Sequence, residues 1–139
     1  MRLKNILPVI FMITTPVVIA QSWVEQTSNY DGALSNVYFA NQDIGYVCGQ
    51  NGTILKTSNG GETWVKQTSD TDTSLAVIQF IDENTGYASG GWSANTTLLK
   101  TTNGGENWTN ISPTLSGWGG GTLFVSADTG FYAHASSLY

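Results

Sequence analysis

The sequence predicts an all-β fold made of repeated four-stranded antiparallel sheets. Three observations carry this expectation. One octet is written twice, as TSNGGETW from Thr57 to Trp64 and as TTNGGENW from Thr101 to Trp108. Three landmarks recur at the same two intervals, 41 and then 44 residues: Phe39, Phe80 and Phe124; Gly45-Tyr46, Gly86-Tyr87 and Gly130-Phe131; Trp23, Trp64 and Trp108. After residue 20 no stretch joins helical spacing of apolar residues to freedom from glycine, so the periodicity is that of strands.

The elements follow in order. Residues 1–20, MRLKNILPVIFMITTPVVIA, carry Arg2 and Lys4, then an apolar run, then small residues. That is the order of a secretory signal peptide, with cleavage expected after Ala20. Pro8, Pro16 and the Thr14-Thr15 pair interrupt the run, and no second apolar run of spanning length follows, so no permanent membrane span is expected after the leader is removed. The chain is thus expected to be exported: secreted, periplasmic or on a cell surface. Ser22–Ser28 (SWVEQTS) matches Thr63–Ser69 (TWVKQTS) and reads as a stray last strand.

Residues 34–69 then hold a whole unit: NVYF, a polar turn, GYVCG, a turn, TILKTS, the NGGE turn and WVKQTS. Residues 75–112 repeat it, with the turn GGWSANTT (Gly90–Thr97) three residues longer than GQNGT (Gly49–Thr53). Insertions of this kind belong in turns. Residues 121–139 begin a third unit. Four short strands in about 40–45 residues is the period of a β-propeller blade. The chain therefore holds about two and a half blades, and a closed propeller of about 4–8 blades needs more, so the 139 residues read as a fragment of a longer protein.

The octet reads as the hairpin between the third and fourth strands of a blade. Asn59 is expected to accept hydrogen bonds from backbone N–H groups two or three residues on, Gly60 and Gly61 supply positive φ, and Thr63 bonds back across the turn. Trp64 then offers a large apolar surface to a neighbouring sheet, and Trp64→Ala is expected to cost about 3–5 kcal/mol. A repeated octet is a folding device, because a catalytic site is not normally duplicated in every blade.

Charge narrows the partners. The whole chain is −5, and removal of the leader leaves Lys56, Lys66 and Lys100 against ten carboxylates, −7, with no arginine. Nucleic acid and anionic membrane surfaces need clustered Lys and Arg, so neither is an expected partner. The single cysteine, Cys48, sits in the apolar run GYVCG and is expected to be a small buried hydrophobe.

TSNGGETW and TTNGGENW resemble the Asp-box, whose pattern is Ser or Thr, any, Asp or Asn, any, Gly, any, Thr, Trp. Asn59, Gly61, Thr63 and Trp64 fill it in the first copy; Asn103, Gly105 and Trp108 fill it in the second, with Asn107 in place of Thr. With FxxxxxGY upstream, the repeat resembles the blade of the photosystem II assembly and stability factor family, over Ser22 to Tyr139. The resemblance implies a seven-bladed propeller acting as a binding scaffold. In photosynthetic members it implies a newly made reaction-centre protein as partner, met by a basic, arginine-bearing surface. This chain departs from that pattern, having no arginine after Arg2.

The favoured function is an exported, non-catalytic binding or assembly scaffold that displays loops at one face. Its partner is expected to be a protein or a carbohydrate. Two alternatives stand beside it: a genuine photosystem II assembly factor, and a glycoside hydrolase with its catalytic residues in further blades. A sialidase-like site needs an arginine cluster to grip the substrate carboxylate, and other glycosidases need two facing carboxylates. Asp43, Asp82, Glu83 and Asp128 fall in turns after first strands, and Asp70 and Asp72 on an inter-blade loop, where they read as turn residues and solvated charge. His134 stands alone, without the His or Cys neighbours of a metal site. No catalytic, metal-binding or cofactor-binding residues are expected in this segment. The best ligand platforms are Trp92, in the lengthened turn, and Trp118, in LSGWGGGT, because neither falls on the blade period.

Overall fold

The computed structural model describes residues 25–91, 96–112, 119–134 and 137–138. The predicted leader, 1–20, and Trp23 lie outside the described residues.

The first sheet comprises β1 (Leu34–Phe39), β2 (Gly45–Gly49), β3 (Ile54–Thr57) and β4 (Val65–Gln67), hydrogen-bonded in that order. The second repeats it with β5 (Leu75–Phe80), β6 (Gly86–Gly90), β7 (Thr97–Thr101) and β8 (Thr109–Asn110). The third holds β9 (Gly119–Phe124), β10 (Gly130–His134) and β11 (Ser137–Leu138). Every pairing is antiparallel and joins neighbours in sequence, so each sheet is a meander, and no helix occurs among the described residues. The fold is the all-β, four-stranded-blade architecture that the repeat predicts. Of the expected stray strand, residues 25–28 form no strand and 22–24 lie outside the described residues.

The FxxxxxGY spacing has a steric cause. Antiparallel register sets Phe39 opposite Gly45, Phe80 opposite Gly86 and Phe124 opposite Gly130. Each ring lies flat across its glycine: a Cβ built on Gly45 would stand 2.7 Å from the Phe39 ring, and one on Gly86 2.5 Å from the Phe80 ring. Only glycine allows that approach.

Sheet packs on sheet through the next residue of the motif. The Tyr46 ring stacks on Phe80 of the second sheet at 3.8 Å and 15°, and Tyr87 stacks on Phe124 of the third at 3.5 Å and 3°. Around the first contact lies the core: Tyr46, Cys48, Ile54, Leu75, Ile78, Phe80, Ala88, Leu99 and Trp108. Burying each large apolar side chain contributes about 1.5–3 kcal/mol, so this seam is the main source of cohesion between the first two sheets. The first strands β5 and β9 have one unpaired edge each, and side chains of the preceding sheet serve the backbone there. Asn36 Oδ1 accepts from the Ile78 N–H at 3.1 Å. The Gln79 amide donates to the Phe124 carbonyl at 2.7 Å and accepts from its N–H at 3.1 Å. Cys48 is fully buried in this seam, and burial pushes its thiol up to about 12.

Candidate functional site

The two octets link β3 to β4 and β7 to β8. In the first, the buried Thr57 hydroxyl is the hub. Its Oγ1 accepts from the Gly61 N–H at 2.9 Å and the Asn59 N–H at 3.3 Å, while the hydroxyl donates to Asn59 Oδ1 at 2.9 Å. Asn59 Oδ1 also accepts from the Thr63 N–H at 3.0 Å, and Asn59 Nδ2 donates to Thr63 Oγ1 at 3.0 Å. Asn59 Oδ1 thus reaches four residues on, further than the two or three expected, because Thr57 Oγ1 already holds the Gly61 N–H and the Asn59 backbone carbonyl accepts from the Glu62 N–H. Gly60 and Gly61 have φ of 67° and 94°, in the left-handed region.

The second octet reproduces this. Thr101 Oγ1 accepts from Gly105 N–H at 3.0 Å, and Asn103 Oδ1 accepts from Asn107 N–H at 3.0 Å. The substitution of Asn107 for Thr costs little here, because the bond it must make comes from the backbone. Sequence reasoning named Asn, Gly and Trp but not Thr57 and Thr101. Their signal was present, since the pattern opens on Ser or Thr.

The two tryptophans differ. Trp108 is buried and meets Phe80 edge-on at 6.0 Å, with its Nε1 unpartnered. Trp64 meets Phe39 in the same way at 6.1 Å but is only half-buried, because no sheet packs over Phe39 among the described residues. The larger cost of the two replacements by alanine therefore belongs to Trp108.

A second repeated device lies between sheets. Tyr46 OH donates to the Gly104 carbonyl at 2.9 Å, and Lys56 Nζ donates to the same oxygen at 2.7 Å while lying 5.6 Å from the Tyr46 ring centre. In the next sheet Tyr87 OH and Lys100 Nζ both donate to the Ala127 carbonyl, at 2.5 and 3.1 Å, with Lys100 5.4 Å from the Tyr87 ring centre. Burial pushes the Tyr46 phenol up to about 12, with the Glu83 carboxylate adding to it. The lysines recur at the 44-residue period, a signal that sequence reasoning passed over.

Both turns at this end of each blade are therefore committed to construction. In the β1–β2 turn Asn41 Oδ1 accepts from the N–H groups of Asp43 and Ile44, at 2.9 and 2.8 Å. In the β5–β6 turn Asp82 Oδ1 does the same for Asn84 and Thr85, at 2.8 and 2.6 Å, and these bonds hold its carboxyl below the usual range. Glu83 accepts from Asn41 Nδ2 at 2.8 Å. Among the described residues no group of three or more His, Cys, Asp or Glu is placed to hold a metal ion. His134 ends β10.

The opposite end of the blades carries the β2–β3 turn and the sheet-to-sheet linkers. A polar groove of about 440 Å³ opens there, lined in part by Asn51, Lys66, Thr68 and Asp70. Asn51 and Asp70 both take positive φ, 53°. Lys66 Nζ lies 5.8 Å from the Tyr30 ring centre, and Tyr30 OH donates to the Gln50 carbonyl at 3.0 Å. The predicted platforms Trp92 and Trp118 lie outside the described residues.

Repeated blades, each closed by a Thr-Asn turn and clasped to the next by a Tyr-Lys pair, define a propeller-repeat protein. The chain belongs to the family described as photosynthesis system II assembly factor YCF48, whose model matches residues 15–117. Solved structures of YCF48 are among those that resemble it. YCF48 bound to D1 peptide superposes with a TM-score of 0.65 at 22% identity, over 80% of this chain and 36% of that one. YCF48 from Cyanidioschyzon merolae gives 0.65 and 22%, over 78% of this chain and 36% of that one. The chain thus spans little more than a third of the length of either, and at such identity the likeness speaks for the fold. No curated protein matches the chain.

Proposed function

We propose that the chain is part of an exported, non-catalytic scaffold that holds a segment of another protein against the loops at the end of the blades opposite the octets. The observation that carries this reading is the polar groove of about 440 Å³ at that end. At the octet end, turn hydroxyls, amides and backbone carbonyls are already engaged in closing blades and joining them. At the other end, a polar groove is lined by the β2–β3 turn, the end of β4 and the linker that leaves the first sheet. Rigid sheets hold those loops in place, so a bound segment pays little for loop ordering.

Family membership supports a protein ligand over a carbohydrate, as does the D1 peptide in the related structure. It also favours a photosystem II assembly role for the longer protein, which makes a D1 peptide the natural probe. Titration of that peptide into the full chain, followed by calorimetry, is expected to show saturable binding. Trp92→Ala or Trp118→Ala should weaken it with the circular dichroism spectrum unchanged. Binding that survives both substitutions, or saturable binding of oligosaccharides in place of peptide, would overturn this reading.

A further inference from the structure

The chain holds three Asn-Gly pairs: Asn51-Gly52 in the β2–β3 turn, and Asn59-Gly60 and Asn103-Gly104 in the two octets. Such a pair is where a chain most readily modifies itself, because glycine has no side chain to shield its backbone nitrogen from the amide beside it. In all three the glycine N–H already donates to a backbone carbonyl: Gly52 to Thr73 at 3.0 Å, Gly60 to Asp43 at 2.9 Å and Gly104 to Asn84 at 2.8 Å. The nitrogen must leave that partner before it can attack, so this bond slows all three pairs and distinguishes none. The side-chain amides differ. Asn59 Oδ1 accepts from the Thr57 hydroxyl and the Thr63 N–H, and its Nδ2 donates to the Thr63 hydroxyl. Asn103 Oδ1 accepts from the Thr101 hydroxyl at 2.9 Å and the Asn107 N–H at 3.0 Å. Those bonds must break before either Cγ can swing toward the following nitrogen. Asn51 is exposed, and its carboxamide makes no hydrogen bond among the described residues.

The fold also keeps the reactive pair in place. The turn closes through the Thr53 N–H, which donates to the Gln50 carbonyl at 3.1 Å, and Asn51 and Gly52 take φ of 53° and 62°. Both angles are left-handed, where asparagine and glycine are the residues best tolerated. A Cβ built on Gly52 would stand 1.8 Å from the Thr71 carbonyl oxygen, so the linker that leaves the first sheet admits only glycine there. The residue that makes Asn51 reactive is the one that the packing requires.

We propose that Asn51 is a site of self-modification: in the folded chain it loses its side-chain amide by cyclisation onto Gly52, while the octets hold Asn59 and Asn103 intact. The Gly52 nitrogen gives up its proton and bonds to Asn51 Cγ, and the side-chain nitrogen leaves with a proton as ammonia. Water then opens the resulting succinimide at either carbonyl, leaving aspartate or isoaspartate. No reagent besides water is consumed. Either product places a carboxylate on the wall of the polar groove, where Lys66 and Asp70 already stand.

The test is incubation of the full chain in mildly alkaline buffer, folded and in urea, with peptide mass mapping of the three pairs over time. In urea, where no turn protects them, the three should react at similar rates. In the folded chain Asn51 should react faster than Asn59 and Asn103 by more than about 10-fold, the factor set by the net hydrogen bonds that hold each octet carboxamide. Asn51→Gly, which keeps a left-handed backbone at no steric cost, should abolish the acidic form that isoelectric focusing resolves in aged wild type. Thr63→Ala, at an exposed position, removes one partner of the Asn59 carboxamide and should raise the rate at Asn59 by about 2- to 10-fold. Equal rates at the three pairs of the folded chain overturn the proposal, as does reaction at Asn59 or Asn103 ahead of Asn51. So does an Asn51 that stays intact in the folded chain while the urea sample reacts to completion, or an acidic form that persists in Asn51→Gly.

Discussion

Trp108 and Trp64 occupy the same position of the same octet, and their replacement by alanine tests whether burial or turn chemistry sets their worth. Trp108 is buried, with its indole edge-on to Phe80 at 6.0 Å. Removing such a side chain costs about 3–5 kcal/mol from lost transfer energy and the cavity left behind. Its Nε1 is buried without a partner, and deleting it relieves about 1 kcal/mol of that strain. The net expectation for Trp108→Ala is about 2–4 kcal/mol. Trp64 has the same edge-on contact, to Phe39 at 6.1 Å, but water already reaches both rings. No closed cavity forms on its removal, so Trp64→Ala should cost about 1–2 kcal/mol. Urea unfolding followed by far-ultraviolet circular dichroism measures both, since fluorescence would change with the tryptophan itself. Equal costs for the two variants would refute the argument, because they would show that the indole acts within its own turn and not against the neighbouring sheet.

Two further predictions rest on the hydrogen bonds that close and join the blades. Thr101→Val keeps the shape of a buried residue but strips the acceptor from the Gly105 and Asn103 N–H groups. It should cost about 1–3 kcal/mol in the same assay, and more than Thr101→Ser; a valine variant as stable as the serine one would dismiss the hydroxyl as the hub. Tyr46→Phe removes one of the two donors to the Gly104 carbonyl and should cost about 0.5–1.5 kcal/mol at neutral pH. Because the folded phenol is raised from 10.0 to about 12, its contribution is present below pH 10 and is lost as pH rises toward 12. The loss of stability between those values should thus be smaller in Tyr46→Phe than in wild type; identical alkaline profiles would count against the buried phenol.

The order of residues along the chain was enough for everything that is local and repeated. FxxxxxGY dictates an antiparallel pair because a ring can lie across a glycine only in one register, and the structure pairs Phe39 with Gly45 and Phe80 with Gly86. The octets dictate hairpins because the donors and acceptors that close them lie within the same eight residues. The Lys-Tyr clasp was harder to see. Lys56 and Tyr46 reach an oxygen 48 and 58 residues away, and period alone does not say that two side chains converge on one carbonyl. The proposed binding end was less legible still: Trp92 and Trp118 stand out by falling off the period, but a residue that breaks a repeat loses the one source of positional information the repeat supplies.

What only the tertiary structure decided is which copy of each repeated residue is worth most. Phe39 and Phe80 share their motif, their register and their contact with a tryptophan, yet one is exposed and the other sealed. Local geometry is set by bonds within a few residues and so recurs wherever the motif recurs. Burial is set by whatever packs against the motif, and that is a property of the neighbouring sheet.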